Sequence, residues 1–292
     1  MRERTPFPAD LISRLPNLKL LLTTGVRNAS LDLKALSQRG IPVAGTGGEG
    51  RRTAGTDSTT EHCIAMILAS ARNIAQDDLS VKSGGWQTSC ATGLSGKVFG
   101  TVGLGRLGVA VARILVQAFG MRVIAWSSNL TQAAADRQAA SAGLPVEDAN
   151  GEKTFRSVSK EELFKTADLV SVHLVLSDRS RGIISSADLS LMKPTSIFVN
   201  TSRGPLVVEQ DLLDTLEQGR IRAAALDVFE LEPLPLDSKW RTTSWGRDGR
   251  SQVLLTPHMG YVEEATLDSW YQQHVENIKR WQKGETLTSS FA

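Results

Sequence analysis

The chain has 292 residues, 41% of them hydrophobic and 22% charged, with a formal net charge of +2 at pH 7; the length suits about two domains, and the balance excludes a disordered or collagen-like chain. Its basic residues are scattered, the densest pairs being Arg51-Arg52 and Lys279-Arg280, so no footprint for nucleic acid is present and a small molecule is the expected partner. Cys63 and Cys90 lack metal or redox spacing, the N-terminus is broken by Pro6 and Pro8, and no apolar stretch reaches membrane-spanning length; the expectation is a cytoplasmic protein with no membrane partner.

In chain order, residues 19–24 (KLLLTT) read as a buried strand closed by Gly25, residues 31–38 as a helix ended by Gly40, and residues 41–44 as a second strand. Ser58-Thr59-Thr60-Glu61 has the spacing of a capping box, and Ile64, Ile67, Leu68, Ala71 and Ile74 recur behind it at helical spacing. Residues 82–94 lapse into Gly, Ser and Thr, the composition of a crossing between domains. The alternation then restarts: strand 98–102, helix 106–119, strand 122–126, helix 132–142, a second capping box at residues 159–162, strand 168–173, strand 196–200, helix 209–218, strand 223–228 and strand 253–256. A last helix spans residues 263–283 and folds back on the first domain. Apolar strands separated by helices predict an α/β fold whose doubly wound parallel sheet is covered on both faces.

Gly103-Leu104-Gly105-Arg106-Leu107-Gly108 stands between an apolar strand and an amphipathic helix. In that context the first glycine permits a tight turn, the second lets a pyrophosphate approach the backbone, and the third lets helix and strand pack closely. A dinucleotide on the helix N-terminus is the expectation. The second strand ends in Trp126-Ser127-Ser128-Asn129, with neither a carboxylate for a ribose hydroxyl nor an arginine for a 2′-phosphate, so the residues permit NAD and NADP alike.

Three more polar segments follow strands: Thr201-Ser202-Arg203-Gly204, then Glu230-Leu231-Glu232-Pro233, then Pro257-His258-Met259-Gly260. Strand carboxyl ends are where open α/β sheets bind ligands. With GxGxxG, SRG, DVFxxEP and PHxG in this order, the chain resembles the D-isomer-specific 2-hydroxyacid dehydrogenases of the glyoxylate and hydroxypyruvate reductase kind. The match runs from Leu18 to about Lys283.

The resemblance implies a Rossmann cofactor domain at residues 94–260 and a smaller flavodoxin-like substrate domain from residues 1–93 and 261–292. It implies hydride transfer between NAD(P)H and a small 2-oxo or 2-hydroxy acid. Arg203 would bind the substrate, His258 would act as acid and base, and Glu232 would orient His258. Gly103, Gly105, Arg106, Leu107, Gly108, Ser127, Thr60, Leu174, Thr201, Asp227 and Gly260 are the implied cofactor residues. Gly25, Val26 and Arg27 are the implied substrate-binding loop, where Arg27 departs from the commoner glycine. His173 ends a strand near the crevice, whereas His62 and His274 are read as structural. A homodimer is implied as well. The family has about fifty further residues at its start, so the expectation is a shortened substrate domain with an exposed sheet edge. Two alternatives stay open: a nucleotide-binding homologue with weak or no turnover, and a corepressor-like NAD(H)-sensing protein.

Overall fold

A computed structural model of the chain describes residues 6–25, 28, 30–47 and 57–291. Two compact units result, Met1–Gly55 with Tyr261–Ala292, and Thr56–Gly260.

In the first unit, helix α1 (Ala9–Ser13) precedes strand β1 (Leu21–Leu22), helix α2 (Leu33–Gln38) and strand β2 (Val43–Ala44). The strands pair in parallel, with Leu21 opposite Val43. Phe7, Ile12, Leu21, Leu31, Leu36, Ile41 and Val43 form its core. Expected helix 31–38 begins at Leu33, because Asp32 caps it by accepting the Ala35 amide. The far side of β2 is bonded rather than bare: the Gly45 amide donates to the Ser289 carbonyl and the Phe291 amide to the Val43 carbonyl. These residues follow the chain's long last helix, Glu264–Gln282.

The second unit opens with helices α3 (Ser58–Ala71) and α4 (Ile74–Lys82). One long helix is the sequence expectation, and Asn73 divides it. Asn73 adopts φ 56, donates to Ser89 Oγ and accepts from Arg222, so its side chain compensates the left-handed backbone that stops α3. The cap of α3 also differs from expectation. Asp57, not Ser58, accepts the Thr60 amide.

Next come β3 (Val98–Val102), α5 (Arg106–Phe119), β4 (Arg122–Trp126), α6 (Gln132–Ser141), β5 (Phe155–Ser157), α7 (Lys160–Thr166), β6 (Leu169–Val172) and α8 (Ser186–Leu189). They are followed by β7 (Ile197–Asn200), α9 (Glu209–Glu217), β8 (Ala223–Leu226), α10 (Lys239–Thr242) and β9 (Gln252–Leu255). The seven strands form one sheet in the order β5-β4-β3-β6-β7-β8-β9, parallel throughout. Strand β5 is absent from the sequence expectation: three residues with one polar centre carry too little periodicity to read.

Alternate strand residues enter opposite cores. Phe99, Leu169, Ile197 and Ala223 pack on one face with α3, α5 and α6, while Val98, Val170, Phe198 and Ala224 pack on the other with α7, α8 and α9. With both faces covered, the central strands β3, β6, β7 and β8 are buried throughout and mostly apolar, the pattern read in the sequence. Chain order reverses at β3, whose neighbours are β4 and β6, so the crevice of this sheet opens beyond those strand ends.

Helix α3 belongs to this unit, with Cys63, Met66, Ile67 and Ala71 in the sheet's own core. The first crossing between the compact units therefore precedes residue 56 rather than residue 94. Within residues 82–94, read as the crossing, residues 83–91 form an exposed excursion, tied back where Thr92 donates to the Ala71 carbonyl and Arg222 to the Cys90 carbonyl.

Candidate active site

The glycine turn separates what the protein demands from what it leaves open. Gly103 has φ 104, and a Cβ there would lie 2.8 Å from the His173 carbonyl oxygen. At Gly108 a Cβ would lie 2.2 Å from the Gly103 carbonyl oxygen. Both glycines are therefore required by contact between β3, β6 and α5. Gly105 is different. Its φ is −86 and a Cβ would meet nothing within 4 Å, so no packing in the chain explains it; open space above that backbone suits a diphosphate. Helix α5 starts there with no side-chain cap, leaving Arg106 and Leu107 in a first turn whose amides and dipole favour an anion. The residues fit a dinucleotide.

Arg106 Nη1 pairs with Asp57 Oδ2 at 2.6 Å, and Asp57 also holds the buried Thr60. Ser127 follows the last residue of β4, and beside it the Gly103 amide donates to the Trp126 carbonyl at 2.8 Å. Leu174 follows β6 and approaches Gly103; its carbonyl accepts from Ser202 Oγ at 2.7 Å. Thr201 is buried immediately after β7.

At the ends of β7, β8 and β9 the three polar segments meet. Gly204 has no room for a side chain, since a Cβ would lie 2.0 Å from the Phe229 carbonyl carbon, and this close approach seats the Arg203 loop on the Glu232 loop. Arg203 Nη1 donates to the Ser202 carbonyl at 2.7 Å. Glu232 accepts the Phe229 amide on Oε1 at 2.9 Å and meets His258 Nδ1 with Oε2 at 2.7 Å. Both side chains are about nine-tenths buried.

His258 adopts φ 59. Its amide donates to the Asp227 carbonyl at 2.8 Å, the Met259 amide to Asp227 Oδ1 at 2.8 Å, and the Gly260 amide to Asp227 Oδ2 at 3.1 Å. Thr256 Oγ1 and His62 Nε2 also meet Oδ1. Burial pushes the Asp227 carboxyl up, yet the hydrogen bonds from His62, Thr256 and Met259 outweigh it and hold the group below its ordinary range. His62, read as structural, thus belongs to this network; its signal was a polar residue beside the buried positions of α3.

Cys63 is buried beside Ser171, 3.8 Å from its hydroxyl, and burial pushes its thiol up, which makes it a poor nucleophile. In the first unit, Gly25 has φ 89 and its amide donates to Thr46 Oγ1 at 3.0 Å. Val26 and Arg27 lie outside the described residues.

The model of the family "D-isomer specific 2-hydroxyacid dehydrogenase, NAD binding domain" matches residues 64–260. The D-3-phosphoglycerate dehydrogenase of Methanocaldococcus jannaschii is 34% identical over 98% of this chain, which spans about half (49%) of that relative's length. The hydroxypyruvate reductase of Thermotoga maritima is 34% identical over 89% of this chain and 76% of its own. Among solved structures, the phosphoglycerate oxidoreductase of Vibrio cholerae O395 superposes with a TM-score of 0.81 at 32% identity, covering 97% of this chain and 82% of that one.

His173, at the end of β6, meets Ser171 Oγ with its Nε2 at 2.9 Å, and burial pushes its pKa from the ordinary 6.5 down to about 4. The unfolded chain then takes up a proton before the folded one does. Stability is full above pH 6.5 and falls as pH drops toward 4, by at most about 3 kcal/mol from this group. Urea midpoints across pH 4–7 should show that loss in the native protein and less of it in His173→Gln; equal pH dependence in both would contradict the assignment.

Proposed function

Since this chain belongs to the D-isomer-specific 2-hydroxyacid dehydrogenase family, we propose that it transfers a hydride between a nicotinamide dinucleotide and the 2-carbon of a small 2-oxo or 2-hydroxy acid. The observation that carries the reading is the buried His258–Glu232 pair, bonded at 2.7 Å, on the same edge of the sheet as Arg203. Reduction of a 2-oxo acid delivers a hydride to the carbonyl carbon and a proton to the carbonyl oxygen. The bound cofactor supplies the hydride.

His258 gives the proton. With Nδ1 committed to Glu232, Nε2 is the ring atom that exchanges it. Arg203 presents a fixed fork of donors to the substrate carboxylate, orienting the carbonyl and drawing charge toward its oxygen. In oxidation His258 is the base. Gly105 and the first turn of α5 receive the diphosphate, while Thr60, Leu174, Thr201 and Gly260 line the remainder of the cofactor crevice.

We further propose a homodimer, supported by Ile74, Leu79, Val81 and Trp86, which are exposed on and just after α4 and need a partner surface to leave water. Sedimentation should give twice the chain mass at micromolar concentration; a monomer at that concentration rejects this.

His258→Gln should lower turnover by about a hundredfold to ten-thousandfold, with NAD(P)H affinity changed little in calorimetry. Turnover near that of the native chain, assayed at the NADH absorbance band with glyoxylate, hydroxypyruvate and pyruvate, would remove His258 from the mechanism. Binding without turnover for any 2-oxo acid would favour a nucleotide-sensing protein instead.

Cofactor choice turns on Ser127. A serine can bond either a 2′-hydroxyl or a 2′-phosphate, whereas a carboxylate bonds the first and repels the second. Ser127→Asp should raise the ratio of kcat/KM with NADH to that with NADPH. An unchanged ratio would mean that the ribose binds elsewhere.

A further inference from the structure

Helix α3 brings a second histidine to the turn that carries His258. His62 Nε2 lies 3.1 Å from Asp227 Oδ1 and 3.1 Å from Thr256 Oγ1, while Thr256 Oγ1 donates to the same carboxylate oxygen at 2.5 Å. The hydroxyl proton is spent on the carboxylate, so Oγ1 can only accept from the ring. Nε2 is therefore the protonated, donating nitrogen of His62.

We infer that His62 is a positioning residue for His258: from α3 it holds Asp227 in the orientation that catches the 258–260 backbone and aims the His258 ring. This rests on the reading of His258 as the proton donor.

Two arguments favour it over simple packing. First, α3 is already anchored by Cys63, Met66, Ile67 and Ala71, so its attachment to the sheet does not require a polar group at residue 62. Second, the other donors to Asp227 are Thr256, Met259 and Gly260, all from the very turn that Asp227 must hold. Among the described residues His62 is the donor that ties this carboxylate to another element. Without it Asp227 keeps three donors and stays satisfied, so the fold survives; what is lost is the external reference that fixes the direction of the turn.

The test pairs His62→Leu with His62→Gln, whose amide can still donate. In protein labelled with 15N-histidine, the His258 Nδ1–H resonance, assigned by its loss in His258→Gln, reports the bond to Glu232. His62→Leu should shift or broaden that resonance, leave the melting temperature within a few degrees, and lower kcat by about 10-fold to 100-fold, the scale of a misplacement near 1 Å. KM for the 2-oxo acid should move by less than about threefold. His62→Gln should recover most of the resonance position and of kcat. Should His62→Leu fail to fold, His62→Asn, whose shorter amide falls short of Asp227, replaces it. An unmoved resonance with unchanged kcat in the donor-less variant, or equal losses in both variants, overturns the inference. If the native chain turns over no 2-oxo acid, the proposed function fails while the resonance still decides the role of His62.

Discussion

Burying an ionised carboxylate costs several kcal/mol unless its lone pairs are filled, and Asp227, with only 1% of its side chain exposed, meets that demand with donors from Thr256, Met259, Gly260 and His62. The demand organises everything around it. Because Asp227 stands directly after β8 and the turn 257–260 directly after β9, satisfying the carboxylate forces the second segment to fold over the end of the first. His258 is thereby brought back toward Glu232, which has come from the β8 side by a different route. The pairing of these two side chains is a consequence of filling one buried group.

The other half of the crevice works on a different principle. Around β3, side chains matter less than their absence: Gly103 and Gly108 have no room for a Cβ where β6 and α5 come close, whereas above Gly105 a Cβ would meet nothing and the space is open. Backbone amides and a helix dipole bind phosphate whatever the neighbouring side chains are, whereas proton transfer requires one imidazole held in one direction. The glycine turn and the His258–Glu232 pair follow strands on opposite sides of the sheet's crossover point, so substitutions at Ser127 and at His258 should act nearly independently.

Legibility in the sequence follows the same division. The glycine turn and the ends of β7, β8 and β9 could be read because each places special residues directly after an apolar run, where geometry restricts what can stand. Strand β5 could not, having three residues and one partner at the sheet edge. Residues 82–94 read as a crossing between domains because Gly and Ser mark any departure from regular structure, whether the chain changes domain or returns to the same one. Asn73 hid the break between α3 and α4, since an asparagine is tolerated in a helix and its left-handed turn depends on Ser89 and Arg222, distant in sequence. His62 escaped for a related reason: helical spacing puts it near the buried face of α3, but only the approach of Thr256 and Asp227 gives it partners.

The left-handed backbone of His258 is the last step of this logic. A non-glycine residue at φ 59 costs on the order of 1 kcal/mol, and such a conformation persists only where its surroundings determine it more than once. Here the amides of residues 258, 259 and 260 all end on Asp227, and the ring ends on Glu232. The αL conformation reverses the chain within one residue, letting consecutive amides converge on one carboxylate while the imidazole turns toward the other. A residue in extended conformation at 258 would carry the following amides away from Asp227 and leave a buried charge short of donors. The strain is therefore the smaller of two costs, and its effect is to hold the His258 ring on the Glu232 carboxylate through Nδ1 while the Asp227 carboxylate grips the next two backbone amides.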